Sequence, residues 1–525
     1  MRTRRRFIRD SAVLLGAASL SDAAAAQSAS PAFDVIIVGA GSSGCLLANR
    51  VTADPSVRVL LVEAGGPDTA PAIHRPGRWT TLLGTPVDWN YATEPEPGLN
   101  DRVIRWPRGK VYGGSSSIHA MAYVRGHQLS FARWAAAAGP EWGYADLLPI
   151  FRRLEDNSRG ASDFLGAGGP LAVSDTTDPH AGHLAFLGGA REAGFASDPS
   201  WNFNGGRQEN GAGFYQKNIR AGRRESAATA FLAPALTRPN LTVWPNALVR
   251  RVVIEGGRAV GIECVHADRT EIVRATRGVV LSAGAIESPK LLMLSGIGPA
   301  DALRALDIGV VVDSPDVGAN LHDHPKVSLR WEGRGPLPPS TVSAGLFTWS
   351  TRGPLPSPPD VQFYVGRGLD TPDPFITMTV AVSDPRSRGS IALRSADPSA
   401  APRIRADYFQ ETRDLDAMLE AIRIAQAIAS TRPYEKLKGA PIDPPAGATS
   451  PADLRAFIRR TADTIFHPAG TCRMGLDAAS VVDPKLRVRG VDALWVMDAS
   501  VMPATPNSQT FAACLVIAEK GASQF

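Results

Sequence analysis

Phe33-Asp34-Val35-Ile36-Ile37-Val38-Gly39-Ala40-Gly41-Ser42-Ser43-Gly44-Cys45-Leu46-Leu47-Ala48-Asn49-Arg50 is the stretch whose reading decides the fold. Asp34 to Val38 reads as a buried strand, the glycines as a turn, and Cys45 to Arg50 as an apolar, helix-compatible run. Each glycine has its own task in such a unit. Gly39 permits the tight turn, Gly41 lets backbone approach a pyrophosphate, and Gly44 lets the helix pack close to the strand, while the helix N-terminus faces phosphate charge. A second apolar strand, Val57 to Val62, ends at Glu63, 19 residues beyond Gly44, where a carboxylate can accept a ribose hydroxyl. A lone glycine fingerprint arises by chance in many α/β proteins. Here strand, glycines, helix, second strand and acid agree, so the unit reads as a dinucleotide site, and FAD and NAD share that fingerprint.

The chain around this unit has 525 residues, 44% hydrophobic and 20% charged, which is too long for one compact core and suits two interleaved domains. Gly and Pro follow no repeat period, so they read as turns and not as a low-complexity array. The N-terminus reads as an address. Thr3-Arg4-Arg5-Arg6-Phe7-Ile8-Arg9 fits a twin-arginine pattern, followed by a mild apolar stretch from Ser11 to Leu20 and the small residues Ala23 to Ala26. Residues 1–26 are therefore expected to be a signal peptide that sends the protein to the periplasm or outside the cell. The apolar stretch is too short to span a bilayer, so no stable membrane insertion is expected. Removing the leader's net three positive charges lowers the formal charge from +5 to +2, a balance that points to no nucleic acid. Cys45, Cys264, Cys472 and Cys514 lie far apart without a C-x-x-C pair, which implies neither a metal site nor a disulfide framework.

Further along, Trp106-Pro107-Arg108-Gly109-Lys110-Val111-Tyr112-Gly113-Gly114-Ser115-Ser116-Ser117-Ile118-His119 supplies an uncluttered backbone and several hydroxyls, able to surround a planar ring or an anion. This segment resembles the first signature of the glucose–methanol–choline (GMC) oxidoreductase family. Gly284-Ala285-Ile286-Glu287-Ser288-Pro289-Lys290-Leu291-Leu292, with Ser295-Gly296-Ile297-Gly298-Pro299, resembles the second. Val317 to Leu321, Phe466-His467-Pro468-Ala469-Gly470-Thr471 and Asp498-Ala499-Ser500 look like its later landmarks, all in family order. The motifs are most similar to those of aryl-alcohol oxidase and choline dehydrogenase-like members.

The resemblance implies FAD and an α/β fold, α+β overall: a Rossmann-type FAD-binding domain with a second, substrate-binding domain on an antiparallel sheet with helices. The first is expected from residues 32–150, 218–325 and 455–525, the second from 151–217 and 326–454. Flavin contacts are expected from Gly39, Gly41, Gly44, Glu63, Arg108, Gly113, Gly114, Ser115, Ser117, His119, Ala120, Met121, Val249, Asp498, Ala499 and Thr510. Asp498 follows the short apolar strand Leu494 to Met497, at a carboxyl end where ligands of open α/β sheets gather. By resemblance it would contact the ribityl chain or the pyrophosphate. His119 stands where many members carry Asn, while the position that holds FAD covalently in some relatives is Ile118 here, so non-covalent FAD is expected.

Alcohol oxidation by a flavin needs a base beside the substrate hydroxyl, and histidine suits that task near neutral pH. His467 follows a helix expected from Pro451 to Arg460, and the Pro468 and Gly470 after it stop helix continuation. The resemblance marks it as the catalytic base. The family's second catalytic position falls on Gln509, which can donate a hydrogen bond to the substrate oxygen but cannot act as a base. Phe466 would flank an aromatic substrate. Asp360 to Val365 reads as a strand on which Gln362 and Tyr364 share a face, with Tyr364 a candidate pocket wall. The Pro- and Gly-rich stretch between His324 and Asp360 is expected to form a short cover over an open pocket. Thr412 to Ala429 reads as a helix with a solvated charged face.

The function expected from this reading is oxidation of a primary alcohol, aromatic or heteroaromatic, to the aldehyde, with oxygen, a quinone or a cytochrome as final acceptor. A hydroxynitrile lyase-type reaction with redox-silent FAD is the alternative, and flavin binding without catalysis a third possibility that an intact His467 disfavours.

Overall fold

The computed structural model describes residues 33–351, 356–366, 368–369 and 371–525. The leader, residues 1–26, lies outside the described residues. Two sheets organise the chain. The first is parallel in its centre, with strands in the order Leu241–Trp244, Val59–Val62, Phe33–Val38, Arg269–Leu281 and Leu494–Val496. Its central strands read as continuous Val, Ile and Leu because both faces are covered, as parallel sheets require. Val38 pairs with both Val62 and Leu281, and Leu281 also pairs with Val496, so the strand ends align along one edge. The strand expected from Val57 begins at Val59, because the Val57 amide closes a turn onto the Asp54 carbonyl. Arg269–Leu281 serves two sheets. Its first half pairs antiparallel with Arg258–His266, which pairs in turn with Leu248–Glu255, and its second half enters the parallel core.

The second sheet has eight strands. Lys438–Asp443, Pro325–Leu337, Asp373–Val382, Val361–Val365, Ala344–Thr348, Gly211–Phe214 and Ala196–Ser197 follow one another, antiparallel except for the last pair, and Asp463–Thr464 adds to the start of Pro325–Leu337. Val327, Leu329 and Trp331, with Ile376, Met378 and Val380, form its apolar side. The helix Thr412–Ala429 packs on this sheet, with Leu415, Met418, Ile422 and Ala425 among its buried residues. Lys326, Ser328, Arg330, Thr377 and Thr379 face the opposite way. The fold is thus the expected α/β class, with a Rossmann-type sheet and an antiparallel sheet carrying helices.

The stretch between His324 and Asp360 is not a short cover. It supplies two strands of the sheet, Pro325–Leu337 and Ala344–Thr348. The period-two alternation Lys326-Val327-Ser328-Leu329-Arg330-Trp331 outweighs the Pro and Gly around it. Near the junction of the two parts, Arg125 donates to Glu155 at 2.6 Å with both side chains buried, and Glu155 also accepts from the Gly166 amide. The pair holds the start of the short strand Glu155–Asn157. Among the described residues no helix is long and apolar enough to cross a membrane.

Candidate active site

A cavity of about 570 Å³ runs from the carboxyl edge of the parallel sheet to the polar face of the antiparallel one. Its first end is made of turns. Gly39 has φ +98°, and a Cβ there would lie 2.7 Å from the Ser282 carbonyl oxygen. A Cβ on Gly44 would lie 1.8 Å from the Gly39 carbonyl oxygen, so only glycine lets the helix Ser42–Val51 start so close to the strand. Gly41 meets nothing nearer than 3.8 Å and faces open space. A Cβ on Gly114 would lie 2.8 Å from the Gly41 Cα, so the two glycine turns close on each other across the cavity wall. Glu63 accepts from the Ala40 and Gly65 amides, one per carboxylate oxygen at 2.8 Å. Burial raises its pKa to about 7 against the pull of those amides.

Of the sixteen residues expected to hold the flavin, Gly44, Gly113 and Ser117 do not line the cavity, whereas the other thirteen do. The Ser117 hydroxyl turns back to donate to the Tyr112 carbonyl, and Gly113, at φ +85°, packs against that hydroxyl. These residues shape the turn from behind. The Ser116 hydroxyl likewise donates to Gly113 and accepts from Ala227. Asp498 lines the wall, yet its carboxylate accepts from the Gly284 and Ser500 amides and from the Ser288 and Ser500 hydroxyls. Its four acceptor sites are spent bracing the parallel sheet to the helix Gly284–Leu294.

His119 is buried where the two ends meet. Its Nδ1 accepts from the Met121 amide at 3.1 Å and lies 3.0 Å from Arg224 Nη1, which donates to the His119 carbonyl as well. A nitrogen facing an amide N–H and a guanidinium must carry the lone pair, which puts the ring proton on Nε2. Nε2 has no protein partner. Burial, then the Arg224 charge, push the His119 pKa down to about 3, so the ring is a neutral donor. An unpartnered buried N–H, a cradle that any Cβ would fill and a long cavity rimmed by helix N-termini fit a flavin dinucleotide.

His467 enters the same cavity on a strained loop. Phe466 adopts φ +69°, the left-handed region that costs a bulky residue energy. Three bonds hold it there: Thr464 Oγ1 accepts the Phe466 amide, Arg108 Nη2 donates to the Phe466 carbonyl at 2.7 Å, and Asp323 Oδ1 accepts the His467 amide at 2.8 Å. Tyr408 donates its hydroxyl to the other oxygen of Asp323. The ring of His467 stands edge-on to His324, with the two Nδ1 atoms 2.9 Å apart. One Nδ1 donates and the other accepts. The Ser383 backbone favours a proton on His324. His324 Nε2 has no hydrogen-bond partner, so the contact accommodates either direction; with His324 Nδ1 as the acceptor, the His467 proton sits on Nδ1 and His467 Nε2 keeps a free lone pair. Burial, followed by the neighbouring His324 and Arg108, holds the His467 pKa well below 6.5, so the ring is neutral at pH 7.

Gln509 closes the far side. Its amide nitrogen donates to the Tyr364 hydroxyl, and Tyr364 donates to Gln362 Oε1 at 3.0 Å. One Gln509 N–H and its Oε1, which is buried without a partner, remain for a ligand. His119 lies edge-on to Phe511, 5.2 Å between centroids, so Phe511 packs against the ring donor. His467, Gln509, Phe466 and Tyr364 all line the one cavity. His324, Lys326 and Arg330 carry no motif and were not among the sequence candidates. Only the strand alternation from Lys326 to Arg330 could have marked the latter two.

The two parts of the GMC oxidoreductase family model match residues 33–326 and 385–518. The chain is 38% identical to mouse mitochondrial choline dehydrogenase, over 93% of this chain and 89% of that protein. It is 39% identical to the alcohol dehydrogenase [acceptor] of Pseudomonas putida, over 93% and 95%. Among solved structures, pyridoxine 4-oxidase from Mesorbium loti superposes with a TM-score of 0.89 at 35% identity, covering 94% of this chain and 99% of that one.

Proposed function

Since the chain belongs to the GMC oxidoreductase family, whose members here act on alcohols, we propose that it oxidises an aromatic or heteroaromatic primary alcohol to the aldehyde with non-covalently held FAD. The carrying observation is His467, neutral, with Nδ1 engaged by His324 and Nε2 left to the cavity. Gly39, Gly41 and Glu63 would hold the adenosine and pyrophosphate end, and Gly114, Ser115, His119 and Val249 the ring. Bound FAD supplies the acceptor for the hydride that leaves the carbinol carbon. His467 Nε2 takes the hydroxyl proton, the second Gln509 N–H steadies the oxygen, and Phe466 and Phe511 exclude water around them.

Ile118, where a covalent link would need a histidine, supports non-covalent binding, and it packs with Ile73, Leu82 and Val111. Acid precipitation should release the flavin into the supernatant, and flavin retained in the pellet overturns that part. Anaerobic mixing with a panel of alcohols should bleach the flavin, and admission of air then separates oxygen from a quinone or cytochrome as acceptor. Cyanide release from a cyanohydrin without bleaching would establish the lyase reading instead. The Arg4-Arg5 pair supports export in the folded state through the twin-arginine route to the periplasm or beyond. Replacing both by Lys should leave the enzyme in the cytoplasm, and equal periplasmic activity in that variant refutes the address.

A further inference from the structure

The antiparallel sheet turns a row of donors to the cavity. Lys326, Ser328 and Arg330 alternate along one strand, and on the next strand Thr379 stands opposite Ser328 and Thr377 opposite Arg330. Ser328 and Thr379 share a hydrogen bond of 2.9 Å, which leaves one hydroxyl proton of the pair free. Arg330 gives Nε and Nη2 to a single oxygen of Asp443, at 2.9 and 2.6 Å, and lies over the Phe375 ring, so its Nη1 is held in place with both protons unspent. Lys326 Nζ lies 3.1 Å from Asp463 Oδ2 and keeps two further N–H donors.

Asp443 and Asp463 do not line the cavity, so the cations stand in front and their acids behind. Three carboxylates do line it, and each is spoken for. Glu63 holds two amides, Glu287 holds Lys290 and Tyr91, and Asp498 its amides and hydroxyls. Among the described residues, no free carboxylate faces the substrate end. A cationic substrate would meet two cations whose paired acids lie behind them and would find no carboxylate facing it, whereas a carboxylate would meet Lys326, the Ser328–Thr379 pair and Arg330 in sequence. The row begins two residues after His324, which touches the base, so Lys326 Cα lies about 7 Å along the strand from His324 Cα. That offset is comparable with the span of one ring and its substituents.

We propose that the substrate alcohol carries a carboxylate on the side of its ring away from the carbinol, recognised by Lys326 and the neighbouring Ser328–Thr379 hydroxyls. This rests on the alcohol-oxidation reading, and its test is chosen to be separable from it. Non-reacting ligands report the wall directly: benzoate, benzamide and benzyltrimethylammonium are titrated calorimetrically into the flavin-loaded enzyme. Benzoate should bind about tenfold tighter than benzamide, a preference that weakens with added salt, and the cation should bind worst. Lys326→Gln should reduce the benzoate preference several-fold and Lys326→Arg should keep it. In parallel, 4-(hydroxymethyl)benzoate should reduce the flavin at lower concentration than benzyl alcohol. Benzoate binding no tighter than benzamide, or a preference unmoved in Lys326→Gln, overturns the proposal even if alcohols bleach the flavin. A benzoate preference without bleaching by any alcohol leaves the wall standing and removes the oxidation reading.

Discussion

His324→Ala removes the group that sets the proton on His467, and its cost can be worked from the 2.9 Å contact between the two Nδ1 atoms. His324 is fully buried and His467 half-buried, so the truncated side chain leaves a closed space and not bulk solvent beside the His467 Nδ1. Leaving a buried N–H without a partner costs about 1 to 3 kcal/mol. That cost falls only on the tautomer with its proton on Nδ1, the one whose Nε2 can take a proton from substrate. The competing tautomer gains, and the reactive population drops by about 5- to 150-fold. Stopped-flow anaerobic reduction with one good alcohol should therefore slow by that range while the alcohol's apparent Kd stays put. A second readout separates tautomer control from loose packing. The His324 ring is one of the influences holding the His467 pKa down, so its removal should move the acid limb of the rate profile to higher pH. His324→Asn, which can still accept from Nδ1–H through Oδ1, should recover part of the rate. A His324→Ala enzyme that reduces its flavin within twofold of wild type, with an unmoved acid limb, refutes the assignment.

His467→Ala should retain FAD yet slow flavin reduction by about two to four orders of magnitude, and Gln509→Ala by only about ten- to a hundredfold; the opposite order, read by the same stopped-flow assay, would transfer the base elsewhere. In the wild type the folded pKa of His467 is lowered, so the neutral, competent ring persists as pH falls through 6.5, and the reduction rate should stay flat there and drop only at more acid pH. An acid limb at 6.5 or above would contradict the burial argument. Arg125→Met strands the Glu155 carboxylate in the interior and should cost about 3 to 5 kcal/mol, seen as a large fall in thermal midpoint, whereas the double change with Glu155→Leu should restore most of it. Gly44→Ala drives a Cβ to 1.8 Å from the Gly39 carbonyl oxygen and should abolish flavin retention, measured by absorbance of the purified protein.

What could be read in the sequence was local. The dinucleotide turn is one continuous segment in which each glycine answers a steric demand of its own neighbours, so Gly39, Gly41 and Gly44 announce the strand, turn and helix without tertiary information. The helix Thr412–Ala429 was legible for the same reason, through its apolar period. Side-chain direction was not. Whether Ser117 points to a ligand or back to the Tyr112 carbonyl, and whether Asp498 has a lone pair to spare, depends on groups brought in from other elements. His324 was invisible because its partner lies 143 residues away and meets it only once Asp463–Thr464 pairs with Pro325–Lys326. The Pro and Gly between His324 and Asp360 drew attention to a short cover, and the two-residue alternation that makes a sheet there was the stronger signal.

Leu494–Val496 completes the parallel sheet from the far end of the chain, and the helix Phe511–Ala522 then lies on Ser42–Val51, where Ser43 donates to the Cys514 carbonyl and Arg50 pairs with Glu519. The turn that begins the nucleotide site is thus covered in part by elements more than 400 residues further along the chain. A chain cut before Leu494 carries the glycine fingerprint without the strand and helix that seal it, so a complete cradle waits on a slow kind of contact, one that closes a loop of 471 residues between Ser43 and Cys514. Loss of the final strand and helix, by early termination or by proteolysis, would leave most residues of the cradle present and the cradle itself unable to form.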